Sequence, residues 1–234
     1  MSHGFSTENL ILYALPIDVR DHLLSELEPV SLSYSEVLYE IDDPINHVYF
    51  PTGGMVSLVS TTREGQSLEV GIVGCEGYVG LPIFLEDSVS PYRMIVQAEG
   101  AALRMKVTAF KAVCDQHGPL QELLHRYAQL LIREITQSAL CICFHSLEAR
   151  FCRWLLVCRD KVKSDEFHLT QEFLADMLGV RRAGISVAAG VIQSLGLIRY
   201  NRGHITIVDR EGLEAASCEC YGVVREAIKK YLGT

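Results

Sequence analysis

The feature that most constrains the fold is a run of 59 residues, 120–178, that contains neither glycine nor proline. All seven prolines lie at or before Pro119, and eight glycines crowd between Gly53 and Gly100. Both residue types interrupt helices and mark turns. Their distribution therefore predicts short strands joined by turns in the first half of the chain and helices in the second half.

Four short apolar segments in the first half show the alternation that is typical of strands. They read "EVLYEI", "HVYFPTGGMVSLVS", "SLEVGIVG" and "YRMIVQAEGAALRMK". Turn sequences separate them and no long helix lies between them, which favours an antiparallel roll or barrel. The amphipathic segment 7–28 precedes them and predicts one or two short helices.

A long helix is predicted to follow Gly118, because Pro119 suits a first helical turn and apolar residues then recur at helical spacing. These apolar residues are too numerous to be buried in a single narrow helix–helix interface. We expect the helix to pack on its own domain and on a second copy of the chain; a wholly intramolecular core helix is the alternative. The candidate dimer contacts are Leu124, Tyr127, Leu131 and Ile135.

Residues 167–208 contain the elements of one compact unit. Thr170 suits the N-cap of the helix "QEFLADML", and Gly179 interrupts it before a second helix begins in "RRAGISVAAGVIQSLG". Asn201-Arg202-Gly203 then forms a hairpin signature between two β-branched runs. A helix, a tight turn, a second helix and a hairpin, in that order, indicate a winged helix-turn-helix.

The formal charge is unevenly distributed along the chain. The whole chain carries -8, but residues 1–117 carry -10 and residues 161–210 carry +2. The acidity therefore belongs to the first half, and the overall charge does not argue against a polyanion partner for the second half.

The second helix of this unit begins with two adjacent arginines among small side chains. Arginine suits the O6 and N7 acceptors of guanine, so Arg182 is the candidate for a base contact. Polar residues nearby are candidates for phosphate contacts. These are Thr170, Gln171, Arg181, Ser186, Arg202 and His204.

The order and spacing of three segments resemble the Crp/Fnr family of bacterial transcription regulators over nearly the whole chain. They are "EVLYEIDDPINHVYFPTGGMVSL", "GIVGCEGYVGLPIFL" and "LTQEFLADMLGVRRAGISVAAGVIQSLGLIRYNRGHITIVD". The resemblance implies an α+β fold with three parts. These are an N-terminal antiparallel β-roll of the cyclic-nucleotide-binding type (1–117), a long dimerisation helix (118–146) and a winged helix-turn-helix DNA-binding domain (147–234).

The resemblance also implies a function. A homodimer joined through the long helix would bind a two-fold-related site on double-stranded DNA, with one recognition helix per half-site, and would work with RNA polymerase. The roll would sense a signal. In the family a glutamate often follows the arginine of the recognition helix, whereas Ala183 follows Arg182 here. The alternative function is a ligand-binding module that acts through a protein partner rather than DNA.

The candidate effector pocket departs from the family pattern. Cyclic-nucleotide-binding members use a Gly-Glu-x-Gly-like turn for the ribose and an arginine for the phosphate; here the turn reads Gly77-Tyr78-Val79-Gly80, and Tyr92 or Arg93 stands near the phosphate position. A tyrosine cannot accept from a ribose diol as a carboxylate does. We therefore expect no orthodox cyclic-AMP binding. Because Arg93 could bind an anion, a nucleotide-like effector remains the alternative.

Other functions have weaker sequence support. The eight cysteines include C-x-C pairs rather than C-x-x-C motifs, so we expect most of them to be buried apolar residues, with no metal site and no resident cofactor. No nucleophile, base and orienting group form a recognisable set, so no enzyme activity is expected. No secretory signal or membrane-spanning run is visible, and we expect a cytoplasmic protein.

Overall fold

The computed structural model describes residues 9–116 and 118–232. Residues 7, 8 and 117, which fall in segments discussed above, lie outside this range. The helices are α1 Leu10–Ala14, α2 Ile17–Ser25, α3 Leu81–Phe84, α4 Val107–Gln116, α5 Gly118–Phe144, α6 Leu147–Val162, α7 Gln171–Leu178, α8 Arg182–Ser194, α9 Arg210–Ala216 and α10 Cys220–Leu232. The strands are β1 Glu28–Leu32, β2 Val37–Tyr39, β3 His47–Pro51, β4 Met55–Thr61, β5 Ser67–Val73, β6 Arg93–Ala98, β7 Gly100–Lys106, β8 Glu166–His168, β9 Ile198–Asn201 and β10 His204–Ile207.

The described residues form two compact units, each assembled from separate segments. Of the described residues, the first unit draws on 9–58, 72–116, 118–132 and 228–232, and the second on 59–71 and 133–227. None of the described helices combines the length and the apolar character needed to cross a membrane.

Two sheets make up the strand-rich part of the chain, one in the order β1-β7-β3 and one in the order β2-β6-β4-β5. The pairs of β7 with β1 and with β3, and of β6 with β2, are antiparallel. Buried side chains line the strands, as in β4, whose first five residues are all buried. The predicted antiparallel β-roll is thereby confirmed.

A buried asparagine attaches the N-terminal helices to the roll. The Oδ1 of Asn9 accepts from the backbone N–H groups of Ile11 and Leu12, which caps α1. Its Nδ2 donates to the carbonyls of Pro51 and Gly77, at 3.0 and 2.8 Å. Because both polar atoms of the Asn9 side chain have hydrogen-bond partners, the residue is tolerated at a fully buried position.

An aromatic cluster forms the centre of the first unit. The ring of Tyr78 lies 5.6 Å from Phe50, 5.7 Å from Phe110 and 5.4 Å from Tyr127, which belongs to α5. Gly77 is required beside it, because a Cβ there would come within 2.3 Å of the Tyr127 ring. The first half of α5 is thus packed against the roll by large buried side chains.

The long helix buries most of the residues that its sequence marked for dimer contact. Leu124, Tyr127 and Leu131 lie in the core of the first unit, and Ile135 is half-buried. Apolar exposure lies elsewhere on α5, at Ile132, Leu140, Ile142 and Phe144. At 100° per residue Ile132, Leu140 and Phe144 fall within one arc of about 120° around the helix, whereas Ile142, the least exposed of the four at 37%, lies outside it.

The second unit contains the predicted winged helix-turn-helix, which completes the α+β fold. Helix α7 packs on α8 and α8 packs on α6, and the strands form a sheet in the order β8-β10-β9. Within this unit Trp154 of α6 donates to a carboxylate oxygen of Glu69 at 2.7 Å. Strand β8 is an element that the sequence patterns did not predict.

Candidate nucleic-acid interface and effector cavity

The first helix of the interface, α7, begins and ends as its sequence predicts. The Oγ1 of Thr170 accepts from the backbone N–H of Phe173 at 3.1 Å, so Thr170 is the N-cap. The hydroxyl proton of Thr170 stays available as a donor. Gly179 ends the helix at φ 63°, a left-handed conformation that favours glycine. Gln171, the first helical residue, is half-buried.

The N-terminus of α8 has no side-chain cap and is exposed. Arg181 occupies the N-cap position without making a side-chain cap bond, and Arg182 is the first helical residue. Both side chains are exposed, and within residues 9–116 and 118–232 no carboxylate forms an ion pair with either of them. The first backbone N–H groups of the helix and two unpaired guanidinium groups therefore face the same surface.

The two faces of α8 differ in the way its sequence predicts. The inward face consists of Ile185, Ala188, Ala189 and Ile192, all buried. A Cβ on Gly184 would lie 3.2 Å from Leu147 of α6, so small residues do allow a close helix approach there. Gly190 differs, because a Cβ added to it would meet nothing within 4 Å.

Some exposed residues of α8 were not identified from the sequence as candidates for DNA contact. Ala183 is exposed, and Val187, one turn further on, is 64% exposed beside Ser186. Apolar side chains on a recognition surface contact the methyl group of thymine. The helical period alone could have identified them, since the buried stripe at 185, 188, 189 and 192 excludes both positions.

The predicted wing is a two-residue hairpin. Arg202 and Gly203 both have positive φ, 48° and 84°, and His204 pairs with Asn201, as in a type I′ turn. Arg202 and His204 are exposed at its tip. The His204 ring also lies 4.8 Å from His168 of β8.

Short hydrogen bonds connect the hairpin to the residue before the N-cap of α7 and to the end of α8. The N–H of Leu169 donates to the carbonyl of Gly203 at 2.6 Å, which places the wing turn beside Thr170. The Tyr200 hydroxyl donates to the Leu169 carbonyl at 2.9 Å, and its N–H donates to Gln193 Oε1 at 2.6 Å.

The electrostatics of Tyr200 add a link to α8. Burial raises the pKa of Tyr200, and the positive charge of Arg182 opposes that shift. The hydrogen bonds of Leu169 bring Thr170 and the wing turn together.

The candidate effector pocket of the roll is nearly filled. Its cavity measures about 10 Å³ and is lined by apolar and aromatic side chains, among them Tyr78, Leu81, Leu131 and Tyr92, together with Gly80. This volume holds about one water molecule, whereas small-molecule sites measure about 300–1,000 Å³.

The predicted pocket residues are not assembled into a nucleotide site. The Tyr78 hydroxyl is buried, with no hydrogen-bond partner among the described residues, and burial raises its pKa well above the usual range. Val79 exchanges backbone hydrogen bonds with Tyr49. Arg93 is exposed and forms a bidentate ion pair with Glu40, with N–O distances between 2.6 and 3.1 Å. It does not line the cavity.

Comparisons with known proteins agree with this two-part architecture. A family described as Crp-like helix-turn-helix domain matches residues 149–216, and one described as cyclic nucleotide-binding domain matches residues 29–117. No curated protein matches the chain.

Several solved structures share the fold. A protein from Eubacterium rectale described as a Crp/Fnr-family regulator has a TM-score of 0.70 at 16% identity, covering 90% of this chain and 99% of its own. FixK2 from Bradyrhizobium japonicum scores 0.69 at 15% identity, with coverages of 82% and 98%. The c-di-GMP-responsive regulator CLP from Xanthomonas campestris scores 0.68 at 13% identity, with coverages of 82% and 99%. The TM-scores show a shared fold with all three structures.

The filled cavity predicts that cyclic AMP does not stabilise the protein. A ligand at 100 times its dissociation constant stabilises its target by about 2.7 kcal/mol, which raises the melting temperature of a chain this size by roughly 5–10 °C. We expect thermal denaturation with cyclic AMP to differ from a matched-salt control by less than about 1 °C. A saturable rise of several degrees would contradict the inference that Tyr78 and its neighbours exclude the nucleotide.

Proposed function

This chain belongs to the Crp/Fnr family of DNA-binding transcription regulators, and we propose that it binds a two-fold-related DNA site as a homodimer. The observation that carries the proposal is the open, positively charged N-terminus of α8. Its N-cap residue leaves the first N–H groups without a side-chain partner. A helix N-terminus with such free donors, and with unpaired arginines beside it, suits the phosphate backbone of DNA.

We assign different roles to the two arginines. Arg182 is the exposed first helical residue of α8, so it is positioned to reach base edges when α8 enters the major groove. Arg181, at the N-cap, precedes the helix and suits a phosphate. Ser186 and Val187 lie one turn further along, where a hydroxyl and a methyl group complete a mixed readout.

The remaining contacts fall on the flanks of α8. Thr170 keeps its hydroxyl proton for a phosphate because its oxygen is already the acceptor in the cap. Gln171 follows it, and Arg202 and His204 project from the wing turn, whose carbonyl at Gly203 is tied to Leu169. These residues would fix the orientation of the protein on the duplex, without reading its sequence.

We propose that α5 joins two copies through its exposed apolar arc rather than through the residues that its sequence pattern singled out. Leu124, Tyr127 and Leu131 are used in the core of the chain's own first unit. Ile132 is 60% exposed and Phe144 79% exposed, and Leu140 lies between them. A two-fold interface along this arc would bury all three.

The roll is proposed to act as a sensor for a signal other than cyclic AMP bound in the orthodox way. Its cavity is nearly filled, and the apolar residues Leu81 and Pro82 line it where a polar ligand would need hydrogen-bond acceptors. Arg93 forms an ion pair with Glu40. The dimer would act in the cytoplasm, where its DNA target and RNA polymerase are found.

The role of Arg182 can be tested by replacing it with alanine. If Arg182 forms a bidentate contact with guanine, Arg182→Ala weakens specific DNA binding by about 1–3 kcal/mol, or about 5–150-fold, and relaxes the preference at one base pair of each half-site. Binding is measured by gel shift or fluorescence anisotropy at fixed salt, against the selected site and against single-base variants of it.

Lys111→Ala is the matched control, because it removes one positive charge from an exposed position of α4 in the other unit. We expect its affinity and base preference to equal those of the wild type. If Arg182→Ala kept both its affinity and its base preference, the assignment of Arg182 would be wrong. A uniform loss over all sequences would instead reassign it to phosphate contact.

The proposed dimer arc predicts the effect of a charge at its centre. Ile132→Asp places a carboxylate in an apolar interface, so the dimer dissociation constant should rise at least about tenfold, or about 1.4 kcal/mol. Ile17→Asp is the control, since Ile17 is equally exposed (67%) but lies on α2. Sedimentation equilibrium gives both constants. Equal dimerisation of the two variants would place the interface elsewhere.

A further inference from the structure

Four potential metal ligands converge in the second unit from two distant parts of the sequence. Cys141 lies near the end of α5, and His145 follows one turn later, just past its last residue. Cys218 and Cys220 flank the start of α10. One ligand atom from each residue lies within 4.8 Å of all the others.

The separations suit a single tetrahedral ion. The sulfur atoms of Cys141 and Cys218 are 3.4 Å apart, and Cys220 Sγ is 3.5 Å from His145 Nδ1. Zinc–sulfur bonds of about 2.3 Å at tetrahedral angles place two sulfur ligands about 3.8 Å apart. Ligands of a multi-iron cluster bind different iron atoms and lie further from one another. The spacing therefore favours one ion.

The neighbouring residues have the arrangement expected around a bound metal. The Nε2 atom of His145 lies 3.2 Å from Glu219 Oε2, so the carboxylate holds the ring with Nδ1 turned toward the three sulfurs. A carboxylate on the second nitrogen of a ligating histidine is a recurrent feature of zinc sites. Gln137 Nε2 also donates to the Cys220 sulfur at 3.0 Å.

Charge and burial fit a closed site. Cys141, Cys218 and Cys220 are 1%, 7% and 0% exposed, and together they form a small core cluster. Three thiolates, a neutral histidine and a divalent ion sum to one negative charge. Arg150 and Arg153 of α6 both interact electrostatically with the Cys141 sulfur, so positive charge is available to balance it.

We propose that Cys141, His145, Cys218 and Cys220 bind one Zn²⁺ ion per chain as a structural Cys3His site. Zinc matches this mixed sulfur and nitrogen donor set, and four protein ligands leave no open position for a substrate. The ion would join the end of α5 to the loop between α9 and α10, and so hold together two helix junctions of the DNA-binding half. This assignment does not depend on which DNA sequence the protein binds.

The first test measures metal content in the full-length, untagged chain purified without chelator. Inductively coupled plasma mass spectrometry should find about one zinc per chain in the wild type, and less than about a fifth of that in Cys141→Ser and Cys218→Ser. Cys143→Ser is the matched control, because Cys143 lies on the same helix but is exposed and outside the cluster. It should retain the wild-type zinc content.

The second test keeps the proposal falsifiable if the serine variants fail to fold. The wild-type chain is stripped of metal with a chelator under reducing conditions and titrated with Co²⁺. A tetrahedral site with three thiolates gives intense visible d–d bands and sulfur-to-cobalt charge-transfer bands that saturate at one equivalent, and Zn²⁺ then displaces the cobalt. The melting temperature should rise with metal.

Several results would overturn the assignment. These are a zinc-free native protein whose stripped form shows no cobalt bands, a Cys143→Ser variant that loses metal as fully as Cys141→Ser, and iron in place of zinc. A Cys141–Cys218 disulfide found by mass spectrometry in a metal-free native chain would equally exclude the site, and would identify the pair as redox-active.

Discussion

The close packing of α8 through its smallest side chains determines where the candidate DNA contacts lie. Gly184 is within contact distance of Leu147 of α6, and Ala188 and Ala189 are buried beside it. Gly184, Ala188 and Ala189 allow α8 to approach its neighbours closely while Ile185 and Ile192 fill the core, and Arg182, Ser186 and Val187 stay exposed. The wing is tied to the same surface through Leu169, so bulkier residues on the inward face would displace base and phosphate contacts together.

In the roll, aromatic packing around Tyr78 fills the space of the candidate effector pocket. In this family the domain type is named for binding cyclic nucleotides, yet here Tyr78 fills the space with a ring that contacts Phe50, Phe110 and Tyr127. Aromatic pairs of this kind contribute about 0.5–1.5 kcal/mol each beyond their buried area. The cluster stabilises the attachment of the first half of α5 to the roll. A filled pocket suits a roll that responds to another signal or serves mainly to hold the dimer helix.

Local patterns in the sequence predicted the parts of the fold that local physics decides. Thr170 caps α7, Gly179 ends it in a left-handed conformation, and the turn at Arg202 and Gly203 forms the wing, since each depends on only a few neighbouring residues. Long-range contacts decide the rest. The helical spacing of apolar residues in α5 could not distinguish Leu124, which is buried in the chain's own core, from Ile132, which is exposed. The cluster of Cys141 and Cys218 is brought together across 77 residues, so no spacing rule for metal motifs detects it.

Binding sites selected from random duplex DNA show whether two copies of α8 read DNA together. We expect enrichment of a two-fold-related sequence whose half-sites are centred about 10–11 base pairs apart, one turn of the duplex, with two chains bound per site. Affinity for the selected site should exceed that for unrelated duplex by at least about a thousandfold at physiological salt. The absence of any enriched sequence, or the enrichment of a single unpaired half-site bound by one chain, would contradict a dimer that reads DNA through the two copies of α8.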